Sequence, residues 1–262
     1  MNAKPPLALT IAGSDPSGGA GIQEDLKVFT ELGVHGLSVV SAITVQSSFG
    51  MRSSKAVDPV LVSEQINCLL EDRPPAGAKT GLLTVEALPV IIKFLKKVSF
   101  PVVVDPIFES GSGLLLAFPQ MIELYRKEVI PRAALITPNI PEVESLLDIT
   151  IVDNRSLEGA ARSLLDLGAQ AVLIKGGHLK EDQVVDLFLT RTDARRFVKP
   201  RRGFREVHGT GCTLSAAITA FLARGSSLAE AVASAEAYID RKLADLLYAG
   251  EGTPIINHLK GV

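Results

Sequence analysis

The residues best suited to chemistry form one short run, residues 208–213, with the sequence HGTGCT. Its two glycines, Gly209 and Gly211, allow a tight turn and a close approach of the backbone to a ligand. The small, apolar run that follows, residues 214–222, predicts a helix. Free N–H groups at the start of a helix point back into such a turn and attract anions. The run therefore predicts an anion-binding turn.

Cys212 would lie in the first turn of this helix. The partial positive charge of a helix N-terminus lowers the pKa of a thiol, so a thiolate is expected there. A thiolate beside an anion-binding turn could accept a proton near neutral pH. The same hexapeptide also fits a glycine-rich helix start that carries a buried cysteine, and these residues alone leave both interpretations open.

Polar residues also follow several short apolar runs of strand character. Asp105, Thr137 and Lys175 each come directly after such a run. The carboxyl ends of parallel strands meet at one edge of a sheet, where open α/β sheets bind ligands. Lys175 and Asn139 could complete a phosphate site there. Asp105 and Glu142 could hold Mg²⁺ directly or through water.

A second glycine-rich loop, residues 13–21 (GSDPSGGAG), follows the first apolar run. Its glycines crowd one strand end, which favours a binding role over a simple turn. Asp15 could be a turn former whose side chain accepts hydrogen bonds from backbone N–H groups. The chain contains no Gly-Lys dipeptide and hence no Walker A loop, and residues 19–24 lack the last glycine of the dinucleotide fingerprint.

The scaffold that must position these residues is indicated by a recurring strand, loop, helix order. This order predicts an α/β fold with a mostly parallel central sheet between two helical layers, in one domain over residues 1–262. Residues 37–45 are almost continuously apolar, which predicts a strand covered on both faces. Residues 184–189 and 197–198 alternate more and predict antiparallel edge strands. Residues 46–55 and 105–116 are expected to be loops long enough to act as flaps.

Several helices are marked by their ends. A helix is expected over residues 22–32, with Gly33 as its stop. Another opens at Asp58 and carries Cys68, which we expect in the core. Ser227 and Glu230 predict a capping box for the last helix.

Composition limits the partners of the chain. Its 262 residues, 47% hydrophobic, can bury a large core, and the net charge of −2 gives no footprint for nucleic acid. Residues 32–51 lack formal charge, but His35 and Gln46 interrupt them, so no membrane span is expected. Two cysteines argue against a disulfide framework and predict a reducing, cytoplasmic location.

Six segments together resemble the hydroxymethylpyrimidine/phosphomethylpyrimidine kinases of the ribokinase-like superfamily. In order, they are residues 13–23, Gln46, Asp105-Pro106, residues 137–142, residues 175–178 and residues 208–213. The resemblance implies a ribokinase-like three-layer α/β/α fold. It also implies a thiamin-biosynthesis enzyme that uses ATP and Mg²⁺ to phosphorylate 4-amino-5-hydroxymethyl-2-methylpyrimidine and then its monophosphate. A homodimer is expected as well.

The resemblance also assigns roles to residues of this chain. Gly209, Thr210, Gly211 and Cys212 would form the anion hole, with Cys212 in place of the aspartate base of related sugar kinases. The substrate-binding residues would be Gln46, which hydrogen-bonds the pyrimidine, Ala20, Thr44 and Leu82 in the pocket lining, and Asp25 as a polar partner. The residues for ATP and magnesium would be Lys175, Thr210, Thr137, Asn139, Glu142 and Asp105.

The chain departs from the family pattern at several positions. Glu24 replaces the small residue before Asp25, and Leu82 stands where methionine is more usual. Glu109 lies where the family more often carries a cation, which predicts weaker binding of the already phosphorylated substrate.

Three other functions fit the same residues. A pyridoxal kinase would share the fold and the anion hole and differ only in its pocket. A cysteine hydrolase or transferase would use Cys212 as nucleophile and His208 as base. A ligand sensor without catalysis would bind the pyrimidine but form no ADP.

Overall fold

A nine-stranded sheet forms the centre of the structure. The computed structural model describes residues 4–177, 183–201 and 207–259. The strands are β1 (Leu7–Ser14), β2 (His35–Ser47), β3 (Gly50–Ala56), β4 (Gly77–Thr80), β5 (Val102–Val104), β6 (Leu135–Ile136), β7 (Ala171–Ile174), β8 (Gln183–Thr190) and β9 (Ala194–Pro200). Their order across the sheet is β3-β2-β1-β4-β5-β6-β7-β8-β9. The strands from β2 to β7 in this order run parallel, while β3, β8 and β9 pair antiparallel at the two edges. The predicted sheet and its antiparallel edge are confirmed.

Helices cover both faces of the sheet. They are α1 (Gly21–Glu31), α2 (Pro59–Asp72), α3 (Leu88–Lys97), α4 (Pro119–Leu124), α5 (Ile140–Leu147), α6 (Asn154–Asp166), α7 (Thr210–Ala223) and α8 (Leu228–Lys242). Because successive side chains of a strand point to opposite faces, the sheet feeds two hydrophobic cores. One core packs α2 to α6 against the sheet, and the other packs α1, α7 and α8. This is the predicted three-layer arrangement.

Local signals define the helix ends as expected. The Asp58 side chain accepts a hydrogen bond from the Val60 N–H and caps α2. Ser227 and Glu230 form the predicted capping box of α8. Gly33 follows α1 with a φ of +73°, which glycine adopts without strain.

The segment after β2 differs from the prediction. Residues 46–55 are not a loop, because β2 continues to Ser47 and β3 returns antiparallel beside it. This hairpin extends past the helical layers, which leaves Ile43 58% and Val45 55% exposed. The expectation of a strand covered on both faces is therefore wrong for the second half of β2.

Two further details were not predicted correctly. Cys68 is exposed rather than buried, because α2 turns Val62 and Ile66 to the core instead. The central strand β4 is not predicted from the sequence, because it has only four residues and one of them is Lys79. Near the C-terminus, β10 (Leu246–Leu247) and β11 (Ile255–Ile256) form a small antiparallel pair. Within the described ranges, the helices are too short or too polar to cross a membrane.

Candidate active site

The turn before α7 is shaped by a close backbone approach. Gly209 has a φ of +84°, and a Cβ there would lie 1.8 Å from the carbonyl oxygen of Gly19. The Thr213 N–H donates to the Gly209 carbonyl over 2.8 Å and closes the first helical turn. The two glycine-rich loops therefore touch, and only glycine fits at position 209.

We expect Gly209→Ala to lose at least about 100-fold in kcat/KM, because misplacing reacting groups by about 1 Å has effects of that size. Steady-state kinetics would measure it. Gly225→Ala is the matched control: Gly225 also has a positive φ, +94°, but within the described part of the chain a Cβ there would meet no packing neighbour within 4 Å. Both variants carry the backbone strain, and only the first carries the clash. Equal kinetics in the two variants would contradict this account of the turn.

Three strand ends and α7 meet around Asp105, which is almost fully buried. The Lys175 Nζ donates to Asp105 Oδ1 over 3.0 Å, and the Thr137 hydroxyl donates to the same oxygen over 3.1 Å. The Ser215 hydroxyl of α7 donates to Oδ2 over 3.1 Å. Burial alone would raise the pKa of Asp105, but the ammonium groups of Lys175 and Lys79 hold it below its usual range. Asp105 is therefore a carboxylate at neutral pH.

The anion-binding turn lies directly against this cluster. A Cβ on Gly211 would be 3.2 Å from Lys175 Nζ and 3.8 Å from Asp105 Oδ2. The pKa of Lys175 lies above its usual value, because the charges of Asp105 and Glu142 outweigh the effect of burial. A fixed cation thus borders the N–H groups of α7, as a phosphate site requires.

Asn139 and Glu142 open α5 through a capping box. The Asn139 N–H donates to Glu142 Oε2 over 2.7 Å, and the Glu142 N–H donates to Asn139 Oδ1 over 2.9 Å. Burial raises the pKa of Glu142 to about 7, with Lys175 opposing the shift and the charge of Asp105 adding to it. Glu142 thus lies where added positive charge would stabilise its carboxylate.

The donor set around Glu142 and Asp105 fits Mg²⁺. Carboxylates with the nearby Thr137 hydroxyl are hard oxygen donors, and Mg²⁺ usually takes one or two carboxylates together with phosphates and water. No group of three or more His, Cys, Asp or Glu side chains with metal-binding geometry occurs among the described residues. Asp105 already accepts three hydrogen bonds, so Glu142 is the freer ligand.

Cys212 lies in the first turn of α7, as predicted, and is 7% exposed. Burial raises the pKa of its thiol to about 12; the Lys79 ammonium and a hydrogen bond from the Gly21 N–H oppose this shift without cancelling it. Burial therefore opposes the thiolate that a helix N-terminus favours, and the thiolate near neutral pH stays a prediction.

Gln46 and His208 meet at the pyrimidine end of the predicted site. The Gln46 Nε2 lies 2.6 Å from His208 Nε2, which is also 3.0 Å from Asp15 Oδ2. His208 thus faces Gln46 and Asp15, so no contact supports a Cys212–His208 pair. Burial alone would raise the pKa of Asp15, but hydrogen bonds from His208 and Ser17 hold it below its usual value.

The other predicted pocket residues lie around the same loop. The Ala20 N–H donates to Asp15 Oδ2 over 2.9 Å, and the Thr44 hydroxyl donates to the Ser14 carbonyl over 3.0 Å. The Leu82 side chain packs against Gly13, where a Cβ would lie 3.0 Å from its Cδ2. Asp15 also accepts the Ser17 N–H, which confirms it as a turn former.

Asp25 does not belong to this pocket. It is fully buried, its Oδ1 pairs with Lys79 Nζ at 2.6 Å, and its Oδ2 accepts the Thr10 hydroxyl at 2.6 Å. The expectation that Asp25 contacts substrate is wrong here, because its carboxylate is the counter-ion of Lys79. Lys79 also donates to the Cys212 carbonyl over 3.4 Å.

Several site residues were missed from the sequence. Lys79 binds Asp25, and Ser215 of α7 binds Asp105. The sequence signal for Lys79 is a lysine within a short run of small residues. His208 was considered as a base, whereas it is a partner of Gln46. His178, at the end of the fifth resembling segment, lies outside the described residues.

A cavity of about 240 Å³ opens beside the anion-binding turn. Lys175 and Thr210 lie at this cavity, and its apolar lining includes Val184, Val207, Leu214 and Ile239. Apolar walls next to a cation suit a ligand with a flat ring and a charged end.

Comparison with known proteins agrees with this geometry. The chain matches the phosphomethylpyrimidine kinase family over residues 15–257. It belongs to this family. The hydroxymethylpyrimidine/phosphomethylpyrimidine kinase of Salmonella typhimurium is 40% identical over 96% of this chain and 96% of that protein. The chain also matches larger bifunctional thiamine biosynthesis proteins, of which it spans about half. The resemblance found in the sequence is thus confirmed, and the protein is a kinase of this family.

Solved structures place the fold in the same group. The phosphomethylpyrimidine kinase of Clostridium difficile superposes with a TM-score of 0.81 at 38% identity, covering 91% of this chain and 99% of that one. An ADP complex of Bacillus subtilis pyridoxal kinase gives 0.88 at 31% identity, covering 97% of each chain. The predicted ribokinase-like fold is confirmed.

Proposed function

We propose that this member of the phosphomethylpyrimidine kinase family transfers the γ-phosphoryl group of ATP to 4-amino-5-hydroxymethyl-2-methylpyrimidine, and then phosphorylates the monophosphate, in thiamin biosynthesis. The observation that carries the proposal is the close approach of Gly211, in the anion-binding turn, to the Lys175–Asp105 pair, which sets helix N–H groups beside a fixed cation. Phosphoryl transfer depends chiefly on such charge stabilisation and positioning.

ATP is expected to lie between the cavity and this turn. Its base would occupy the apolar walls at Val184, Val207 and Ile239. Its phosphates would reach Lys175, Thr210 and the N–H groups at the start of α7. Asn139 and Thr137, at the neighbouring strand end, complete the polar rim of the phosphate site.

Glu142, supported by Asp105, would hold Mg²⁺ in this arrangement. A Mg²⁺ ion held there would supply positive charge against the negative charge that develops on the phosphate oxygens. The chain's own part is to keep Asp105 ionised through Lys175, and to place Glu142 through its capping box with Asn139.

The pyrimidine is expected at Gln46, with Ala20, Thr44 and Leu82 around it. The Gln46 amide oxygen can accept a hydrogen bond from the amino group of an aminopyrimidine. His208 and Asp15 hold that amide in place. Cys212, next to Gly211 of the turn, is proposed as the base that takes the proton of the hydroxymethyl group.

A coupled ADP-release assay tests this function directly. Hydroxymethylpyrimidine, its monophosphate, pyridoxal and ribose would be compared at equal concentration with ATP and Mg²⁺. We expect the highest kcat/KM for the pyrimidine alcohol, and a lower value for the monophosphate because Glu109, whose charge also acts on Glu142, adds negative charge near the phosphate site. Absence of ADP release with both pyrimidines would overturn the proposal, and equal values for both would contradict the role given to Glu109.

Pyridoxal kinase activity is the second candidate function. It is favoured by the structural match to the Bacillus subtilis pyridoxal kinase, whose TM-score of 0.88 exceeds that of the phosphomethylpyrimidine kinase structure. The higher sequence identity to the latter, 38% against 31%, places the pyrimidine first. The pyridoxal arm of the same assay decides between them.

We also propose that the protein acts as a single kinase domain, in a homodimer, in the cytoplasm. Support for a dimer comes from the β2–β3 hairpin, where Ile43, Val45 and Phe49 expose apolar side chains. Both cysteines are free thiols, as a reducing compartment favours.

A further inference from the structure

A second buried cluster of charged side chains lies beside α7, apart from the Lys175–Asp105 pair. Glu24 of α1 is fully buried, and its Oε1 accepts the Thr213 hydroxyl over 2.6 Å. The Gly209 carbonyl is the second acceptor near this hydroxyl, at the longer distance of 2.9 Å. The same oxygen lies 2.6 Å from His258 Nε2, and His258 Nδ1 lies 2.7 Å from Glu31 Oε2. His258 therefore bridges two carboxylates and reaches the first turn of α7 through Glu24.

Facing two carboxylates, both ring nitrogens of His258 can donate only when each carries a proton. A carboxylate can only accept hydrogen bonds, and a neutral imidazole has a single N–H to donate. Both contacts are therefore satisfied by an imidazolium. Burial alone would lower the pKa of His258, but the hydrogen bonds to Glu24 and Glu31 and the charge of Glu24 outweigh it and hold the pKa above its usual value.

The two carboxylates depend on His258 to different degrees. Glu31 has other partners, since Tyr238 donates to it over 2.6 Å and Lys242 of α8 forms an ion pair with it. Lys242 is also the nearby like charge that opposes protonation of His258. Glu24 has His258 as its only ion-pair partner among the described residues, and its Oε2 is buried without a hydrogen bond.

The segment that carries His258 also touches the turn itself. The His208 N–H donates to the Pro254 carbonyl over 2.9 Å, and Ile255 of β11 packs so closely that a Cβ on Gly19 would lie 2.5 Å from it. The C-terminal segment thus contacts the turn at its start through the backbone and at Thr213 through Glu24.

We propose that His258 is a positioning residue for phosphoryl transfer: paired with Glu24, it fixes Thr213 and thereby the turn that forms the anion hole. This rests on the proposed kinase function. Loss of the charge at His258 would leave Glu24 ionised and buried without a cation, which is unfavourable. The Glu24 side chain is then expected to shift, which alters its hydrogen bond to Thr213.

The first test is a double-mutant cycle. We expect His258→Asn to lower kcat about 10- to 100-fold while the KM for ATP and for the pyrimidine stay within about twofold, because geometry rather than binding is lost. Adding Glu24→Gln should restore most of kcat, since glutamine keeps an acceptor for Thr213 and needs no cation. His35→Asn, an exposed histidine elsewhere, is the matched control and should have no effect.

The pH dependence separates positioning from a simple structural role. The imidazolium is fully formed below pH 6.5 and is lost as pH rises through the raised pKa of His258. The ratio of wild-type to His258→Asn kcat should therefore be largest at low pH and fall toward one as pH rises. If His258→Asn does not fold, wild type is compared with Glu24→Gln instead. The ratio of wild-type kcat to Glu24→Gln kcat should then be lower at high pH than at low pH.

A readout that needs no substrate completes the design. In a Cys68→Ser background, which removes the exposed thiol, alkylation of Cys212 by iodoacetamide should become several-fold faster in His258→Asn as the turn loosens. If alkylation is faster in His258→Asn but the wild type has no pyrimidine kinase activity, the proposed function is refuted, while the role of His258 in fixing the turn is supported. The inference would be overturned if His258→Asn changed neither kcat nor the alkylation rate, or if Glu24→Gln did not restore kcat. It would also be overturned if the unfolded fraction of His258→Asn accounted for its loss of kcat.

Discussion

Cys212→Ala is expected to lose about 10²- to 10⁴-fold in kcat for the pyrimidine, the usual contribution of a general base. ATP affinity should remain nearly normal, because Lys175 and the N–H groups at the start of α7 are untouched. Steady-state kinetics and calorimetric titration with ATP would measure the two effects separately. Turnover close to wild type would refute the assignment of Cys212 as base.

The pH dependence makes this prediction more specific. A thiol with a pKa of about 12 is almost fully protonated at neutral pH. As long as the pH stays below this pKa, each increase of one pH unit raises the fraction of thiolate about tenfold. Cys212→Asp supplies a carboxylate, whose ordinary pKa lies far below 7, in place of the thiol. The ratio of wild-type to Cys212→Asp kcat should therefore increase from pH 7 to pH 10. A ratio that does not change would contradict proton transfer to the thiolate.

Lys79→Met is expected to destabilise the protein by about 3–5 kcal/mol, since removal of one partner leaves a buried charge uncompensated. Lys79 and Asp25 are both fully buried, and although burial alone would lower the pKa of Lys79, the neighbouring Asp25 carboxylate holds it above its usual value. Urea unfolding followed by circular dichroism at pH 7 measures the change.

Two variants serve as controls for this prediction. Lys79→Met combined with Asp25→Leu should recover most of the lost stability, because no unpaired charge remains. Lys127→Met removes the exposed ion pair with Glu123 and should leave the unfolding midpoint unchanged. A double variant no more stable than Lys79→Met would show that packing, rather than charge, sets the loss.

The sequence predicted those features that depend on local signals. The Ser227–Glu230 capping box, the stop at Gly33 and the start of α7 after Gly209 follow from turn and cap chemistry within a few residues. Asp105, Thr137 and Lys175 were expected to meet because parallel strands share one carboxyl edge, and they do.

The errors came from features that depend on tertiary burial. The apolar residues Ile43 and Val45 indicate a covered strand, but the helical layers end before them. Asp25 looked like a pocket residue because its ion-pair partner Lys79 is 54 residues away in the chain. The pKa of Cys212 depends on how deeply α7 is packed, which its helix position does not reveal.

Glu24 shows how a departure from a family pattern can be informative. From the sequence, it was only a carboxylate where a small residue is usual. In the structure, it is fully buried and accepts hydrogen bonds from Thr213 and His258, which links the C-terminal segment to the catalytic turn. No local pattern could have paired residues so far apart in the chain.

The most direct test of the central proposal is ³¹P NMR of a reaction containing the protein, hydroxymethylpyrimidine, ATP and Mg²⁺. We expect the γ-phosphate resonance of ATP to decline while a phosphomonoester resonance of the pyrimidine appears, followed more slowly by the two coupled resonances of its diphosphate. Release of inorganic phosphate alone, or an unchanged ATP spectrum at full protein concentration, would contradict the assignment of the Gly209 turn as a phosphoryl-transfer site for this substrate.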